Sequence, residues 1–146
     1  MTTVEIIVIG NDELLLGDVL DTNANWLCKQ ITGGGGSAQR VIQVRDDRAA
    51  IVREVRAARD RTTALIITTG GLRPTADDMT LVAVAETVQR PLELHPQAFA
   101  MVRNTFADLA QRGYVDDARM TLERAKMANL PQGSILLQDT VGRRRA

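Results

Sequence analysis

Three short apolar runs, each followed by a segment of helical spacing, constrain this chain more than any other feature. They are "TTVEIIVIG" (Thr2–Gly10), "AQRVIQV" (Ala38–Val44) and "TALIITT" (Thr63–Thr69). Apolarity that is continuous and rich in β-branched residues predicts strands covered on both faces, as in a parallel sheet. Near the first run, "DTNANWLCKQI" (Asp21–Ile31) places Ala24, Leu27, Cys28 and Ile31 on one helical face, with Asp21 or Thr22 as cap. After the second, "RDDRAAIVREVRAARDR" (Arg45–Arg61) aligns Ile51, Val55 and Ala58, with Asp46 or Asp47 as cap. Following the third, "DDMTLVAVAETVQ" (Asp77–Gln89) turns Leu81, Val82, Ala85 and Val88 inward. This rhythm predicts a doubly wound α/β domain, in which ligands gather at the carboxyl ends of the strands.

The remainder reads as a helix over His95–Gly113, presenting Phe99, Val102, Phe106 and Leu109 and stopped by Gly113. A second helix is expected over Asp116–Ala128, then "NLPQG" as a turn and "SILLQ" (Ser134–Gln138) as a last strand. The four glycines of "TGGGGSA" (Thr32–Ala38) read as a surface turn. At 146 residues, with no repeat and no linker, the expectation is one domain over residues 1–146.

Charge narrows the partners. Eighteen basic and eighteen acidic residues cancel, and aromatics are 3%, so neither a field nor stacking platforms favour nucleic acid. The single cysteine, Cys28, forms no internal disulfide and reads as core filler beside Trp26. The N-terminus lacks signal-peptide features, and no apolar run approaches the ~20 residues that cross a bilayer. The chain is thus expected to be a cytoplasmic protein without a membrane partner. His95, the lone histidine, stands without a second ligand for zinc. Met120 and Met127 read as one helix face, and Arg143 to Arg145 as a solvated tail.

The stretch that carries chemistry is "TTGGLRPTADD" (Thr68–Asp78). Gly70 and Gly71 allow a sharp turn and close approach of backbone to a ligand, and a helix N-terminus just beyond suits a phosphate. Asp77 and Asp78 are the opposite of what an anion wants. One reading is capping: Thr75 with Asp78 three residues on matches a capping box, and carboxylates suit a first turn. The other is a hard cation between carboxylates and phosphate, as magnesium is held. Glu13 of "GNDELLLG" (Gly10–Gly17), Asp46 of "VRDD" (Val44–Asp47) and Asp78 come one from each strand-end loop. A parallel sheet would bring those loops to one edge.

"TGGLRPTADD" resembles the TGGLGPTxDD signature of the N-terminal domain of the competence-damage-inducible CinA family, which belongs with the molybdopterin-binding domains of MoaB, MogA and gephyrin. "IGNDELLLGDVLDTNANWL", "VRDD" and "ARMTLERAKMANLPQGS" resemble that family's opening, second acidic loop and stretch before the last strand. The resemblance implies a three-layer α/β/α fold on a mostly parallel sheet, a homo-oligomer (dimer or trimer), and a ligand that is molybdopterin or a related pyrophosphate compound. It makes Asp46 and Asp78 the catalytic pair, linked in molybdopterin enzymes to adenylyl transfer with magnesium. Gly10, Glu13, Thr69, Gly70, Gly71, Leu72, Arg73, Pro74 and Thr75 become the ligand-binding set, with Glu13, Asp46 and Asp78 on a divalent cation (magnesium, manganese or cobalt). CinA-type domains are associated with metal-dependent hydrolysis of ADP-ribose to AMP and ribose 5-phosphate.

Three departures bear on this. Asn11 and Asp12 separate Gly10 from Glu13, one residue more than the family has; Arg73 replaces the family's glycine; and "QDTVGRRRA" (Gln138–Ala146) keeps only Val141 and Gly142 of the closing motif. An arginine there donates to a phosphate or fills the space a ligand needs. The deamidase domain of full CinA proteins has no counterpart here, so that activity is not expected. The competing expectation is a non-catalytic sensing or oligomerisation module.

Overall fold

The computed structural model describes residues 1–10, 21–75 and 79–137. Its centre is a parallel sheet in which β1 (Thr3–Gly10) lies between β2 (Ser37–Arg45) and β3 (Leu65–Thr69). Val4 and Ile6 to Ile9 are all buried. Both faces of β1 are covered, which is why its sequence, Glu5 apart, is apolar at successive positions rather than alternating. Ile7 and Ile9 pack with Val44 against Ile51, Val52 and Val55 of α2 (Arg48–Asp60) and Ala83 of α3 (Thr80–Val88). On the other face Ile6 and Val8 meet Ala24, with Leu27, Cys28 and Ile31, of α1 (Thr22–Gly33). The layers are therefore α1, the sheet, and the α2–α3 pair. Cys28 is half-buried in that packing, as its reading as core filler requires.

The caps resolve two ambiguities. Asp21 caps α1, its Oδ1 accepting from the Ala24 amide at 3.1 Å. Asp47 caps α2, its Oδ2 accepting from the Ala50 amide at 2.8 Å. Asp46 is thereby left to do something else.

Helix α3 departs from the expected Asp77–Gln89: it begins at Thr80, and its N-cap Met79 contributes no side-chain bond. Its inward set also differs. Thr80, Ala83, Ala85 and Thr87 are buried, while Leu81 and Val82 are half-buried and Val88 is 44% exposed. Small residues let α3 lie close against α2, and Thr87 tolerates burial because its hydroxyl donates to the Ala83 carbonyl at 2.8 Å. Size ranking favours Leu and Val, and close helix packing overrides it.

The C-terminal part departs further from expectation. Helix α4 (Pro96–Gln111) forms as expected, with Gly113 at φ +75 beyond its end. Its cap is His95, whose Nδ1 accepts from the Ala98 amide at 3.3 Å. The expected helix over 116–128 shrinks to α5 (Leu122–Lys126). Asp117 explains the loss: it accepts from the Arg119 amide at 2.9 Å and from the Arg119 guanidinium at 2.8 Å, a local pairing that competes with helix. Strands β4 (Leu92–Leu94) and β5 (Asn129–Pro131) form an antiparallel ribbon, so "NLPQG" opens as a strand and not as a turn. Residues 134–137 form no strand; Ile135 and Leu137 are 88% and 84% exposed. Among the described residues no helix is long and apolar enough to cross a membrane.

Candidate functional site

The register fixes which strand ends meet. Gly10 pairs with Arg45 and Val8 with Thr69, so all three strands of the sheet finish at one edge. Two bonds tie the loops there. The Asp46 amide donates to the Gly10 carbonyl at 3.2 Å, joining the second loop to the first. Asp46 Oδ1 accepts from the Met79 amide at 2.9 Å, joining it to the third. Asp46 thus supplies from 33 residues away the acceptor that α3 lacks at its own N-terminus.

The glycine turn fits into this junction with no room to spare. Gly70 has φ +96, and a Cβ there would lie 1.9 Å from the Ile9 carbonyl oxygen. Gly71 has φ +62; its Cβ would lie 2.2 Å from Thr80 Oγ1 and 2.9 Å from Asp46 Oδ2. Left-handed dihedrals and contact with neighbouring atoms each exclude a side chain. Thr80 Oγ1 donates to the Gly70 carbonyl at 3.0 Å and fixes the turn from the helix side. Replacing Thr80, 1% exposed, by Val keeps the shape and removes that bond to the Gly70 carbonyl. Urea melts should show a loss of about 1–2 kcal/mol.

The expected ligand set divides accordingly. Gly10, Thr69, Gly70, Gly71 and Asp46 come together, and Leu72, Arg73, Pro74 and Thr75 continue the turn, with the Thr75 amide bonded to the Arg73 carbonyl at 2.8 Å. Leu72, Arg73 and Thr75 are exposed. Glu13 and Asp78, with Asn11, Asp12, Asp77, Val141, Gly142 and Arg143 to Arg145, lie outside the described residues. Thr75 does not cap α3, which starts five residues later. Within the described residues no group of three metal-ligating side chains converges, so Asp46 is the member of the expected metal set that the structure places. Met79 and Thr80 are the participants that sequence reasoning missed. Neither a backbone amide nor a threonine in an apolar helix leaves a pattern to find.

A shallow groove of about 800 Å³ runs along the outer side of α2, from Asp47 to Asp60. Its Arg48 and Arg56 pair with Glu86 at 2.7 and 3.3 Å, which marks a solvated ion-pair face. The backbone-rich junction at the sheet edge, where Asp46, Gly70 and Gly71 meet, is the better site.

Comparison with known proteins agrees with this geometry. Residues 5–135 match the family described as a probable molybdopterin binding domain. A protein of Aeropyrum pernix is 44% identical over 137 residues, 94% of this chain and 48% of that protein. Another, of Pyrococcus abyssi, is 37% identical over 138 residues, 94% of this chain and 54% of its own length. The chain therefore spans about half the length of these curated relatives. Among solved structures, CinA from Thermoplasma acidophilum has a TM-score of 0.81 at 30% identity, covering 97% of this chain and 77% of that one. The molybdopterin biosynthesis enzyme MoaB from Thermus thermophilus has a TM-score of 0.58 at 22% identity, covering 88% and 71%. With the parallel sheet and the glycine turn at its carboxyl edge, these matches establish that the chain belongs to the molybdopterin-binding domain family, as a CinA-like domain of the MoaB and MogA fold.

Proposed function

We propose that the sheet edge binds molybdopterin or a related phosphate- or pyrophosphate-bearing compound, and that with a divalent cation it hydrolyses a phosphoanhydride such as that of ADP-ribose. The observation that carries this is the pair Gly70 and Gly71. Both have positive φ, and Gly71 lies against Asp46 Oδ2, so a left-handed turn of bare backbone stands beside the carboxylate that would hold a metal-bridged phosphate. Backbone N–H groups presented by such a turn suit a phosphate oxygen. Asp46 Oδ1 is held by the Met79 amide while Oδ2 faces Gly71, so the carboxylate is oriented in advance.

The donor chemistry fits a hard cation, which prefers carboxylate oxygens and shares phosphate oxygens. Asp46 would hold it, with Glu13 and Asp78 completing the expected set; Asp78 immediately precedes Met79 in the chain. Bound there, such an ion would neutralise phosphate charge and polarise the phosphorus centre. In the reaction water adds to phosphorus, the anhydride P–O bond breaks, and AMP and ribose 5-phosphate leave. A homo-oligomer is part of the same reading.

A second reading has one observation in its favour. Asp46 already serves the fold, as acceptor for the start of α3, which suits a module that binds without turnover. The two readings separate by AMP release from ADP-ribose with magnesium, manganese or cobalt, using wild type, Asp46→Asn and Asp78→Asn. In Asp46→Asn the side-chain amide retains an oxygen for the Met79 N–H and removes the charge. Turnover should fall about 100-fold or more in each variant while the melting temperature holds. Metal-dependent stabilisation by pyrophosphate without AMP release would instead establish the binding module; a binder at a hundredfold its Kd gains ~2.7 kcal/mol. No stabilisation and no turnover would defeat both.

A further inference from the structure

The glycine turn is anchored at its root by Thr80 and Asp46, but its outer end is held from a different part of the chain. Lys126 Nζ, in the last turn of α5, donates to the Thr75 carbonyl across 51 positions. The space enclosed by Gly71, Leu72, Arg73, Leu81, Lys126 and Met127 is about 10 Å³, room for about one water, so the loop is seated closely on α5. Its support is itself fixed. Thr121 caps α5 through the Arg124 amide at 3.2 Å, and the Arg124 guanidinium stacks on Phe106 of α4 at 4.2 Å. Arg124 also donates to the Asp117 and Arg119 carbonyls at 2.9 and 2.7 Å. Just beyond Lys126, Ala128 is fully buried and its carbonyl accepts from the His95 amide at 2.9 Å.

We infer that Lys126 is a positioning residue for the phosphate-binding turn: from a rigid α4–α5 corner it pins Thr75, and so sets the height of Leu72 to Thr75 above the sheet edge. This rests on the binding reading above. Residues 72–75 are exposed or half-buried, and the bonds to Gly70 and Met79 lie at the two ends of the turn, so the pin acts where the chain is least covered. Without it, a ligand phosphate at Gly71 would have to order more of the loop itself, at an entropic cost that weakens binding.

The test has two readouts on the same folded protein. Lys126→Met removes the donor and keeps the length. Amide hydrogen exchange should rise about tenfold over residues 70–75 and stay unchanged elsewhere, and inorganic pyrophosphate with magnesium should bind about tenfold more weakly. Lys126→Arg, which keeps a charged donor, should restore both. Unchanged exchange over 70–75 would overturn the inference, as would equal pyrophosphate affinity despite a loosened loop. Should Lys126→Met fail to fold, Lys126→Ala, which also lacks the donor, carries the same comparison, and a rise in exchange throughout the protein would make Lys126 a residue of the fold and refute the role. Wild type that ignores pyrophosphate would defeat the binding reading, and the loop exchange would then decide Lys126 alone.

Discussion

Gly70→Ala should destabilise the protein by about 3 kcal/mol, from roughly 1–2 kcal/mol of left-handed backbone strain and a further 1–3 kcal/mol of overpacking. The added Cβ would sit 1.9 Å from the carbonyl oxygen of Ile9. That oxygen cannot retreat cheaply, because Ile9 is a buried residue of the central strand, paired with Val44. A melting point about 10 °C lower is the expected readout. Gly35→Ala is the control. Its φ of +79 is equally left-handed, yet nothing lies within 4 Å of the new Cβ, so the backbone cost alone applies. Equal losses in the two variants would show that the clash at Ile9 is relieved and that the turn tolerates a side chain. Gly71→Ala should follow Gly70→Ala in stability and additionally abolish ligand binding, since its Cβ would press between Thr80 Oγ1 and Asp46 Oδ2.

These losses locate what the sequence could and could not convey. β1 was legible because burial on both faces writes itself as an apolar run. β2 and β3, the outer strands of the sheet, are only partly covered, against the expectation of burial on both faces, and the parallel topology brings the three loops to one edge. Register made that edge real by placing Gly10, Arg45 and Thr69 together. Asp46 and Asp47 were indistinguishable as caps, since adjacent aspartates carry the same local signal. The structure gives the local cap to Asp47 and sends Asp46 across to Met79. That second bond is why α3 starts later than its pattern suggests: its first turn is finished by a residue outside its own segment. Lys126 escaped for the same reason, its partner being a backbone carbonyl distant in sequence. The three-residue strands β4 and β5 were too short to show a period. In the stretch before α5, Asp117 and Arg119 satisfy each other locally, which keeps residues 116–121 out of the expected helix.

Glu5 offers the second large effect, on acid stability. It sits in the middle of β1 at 4% exposure, a charge inside an apolar strand. Arg61 at the end of α2 makes this tenable: its Nε and Nη2 donate to the two carboxylate oxygens at 2.9 and 2.5 Å. Thr63 Oγ1 adds a bond at 2.6 Å. The Arg61 hydrogen bonds, aided by Thr63 and opposed by burial, push the carboxyl from its ordinary 4.5 down to about 2. A group whose folded pKa is depressed contributes stability that is complete above its unfolded value and is lost as pH falls through the folded one. The contribution of Glu5 should therefore be constant above pH 4.5 and fade between there and about 2. Glu5→Gln keeps the shape but removes the charge, leaving Arg61 with weaker acceptors, and should cost about 2–3 kcal/mol near neutrality. Arg61 is one-third exposed, so water compensates it and the loss stays below that of a fully buried broken pair. Urea melts over a pH series are the measurement. The stability curves of wild type and Glu5→Gln should converge as pH drops toward 2, because wild type is then itself protonated at Glu5. Curves that stay parallel through that window would mean the carboxyl titrates alike in both folded and unfolded chains, and that the Arg61 bridge does not hold the charge.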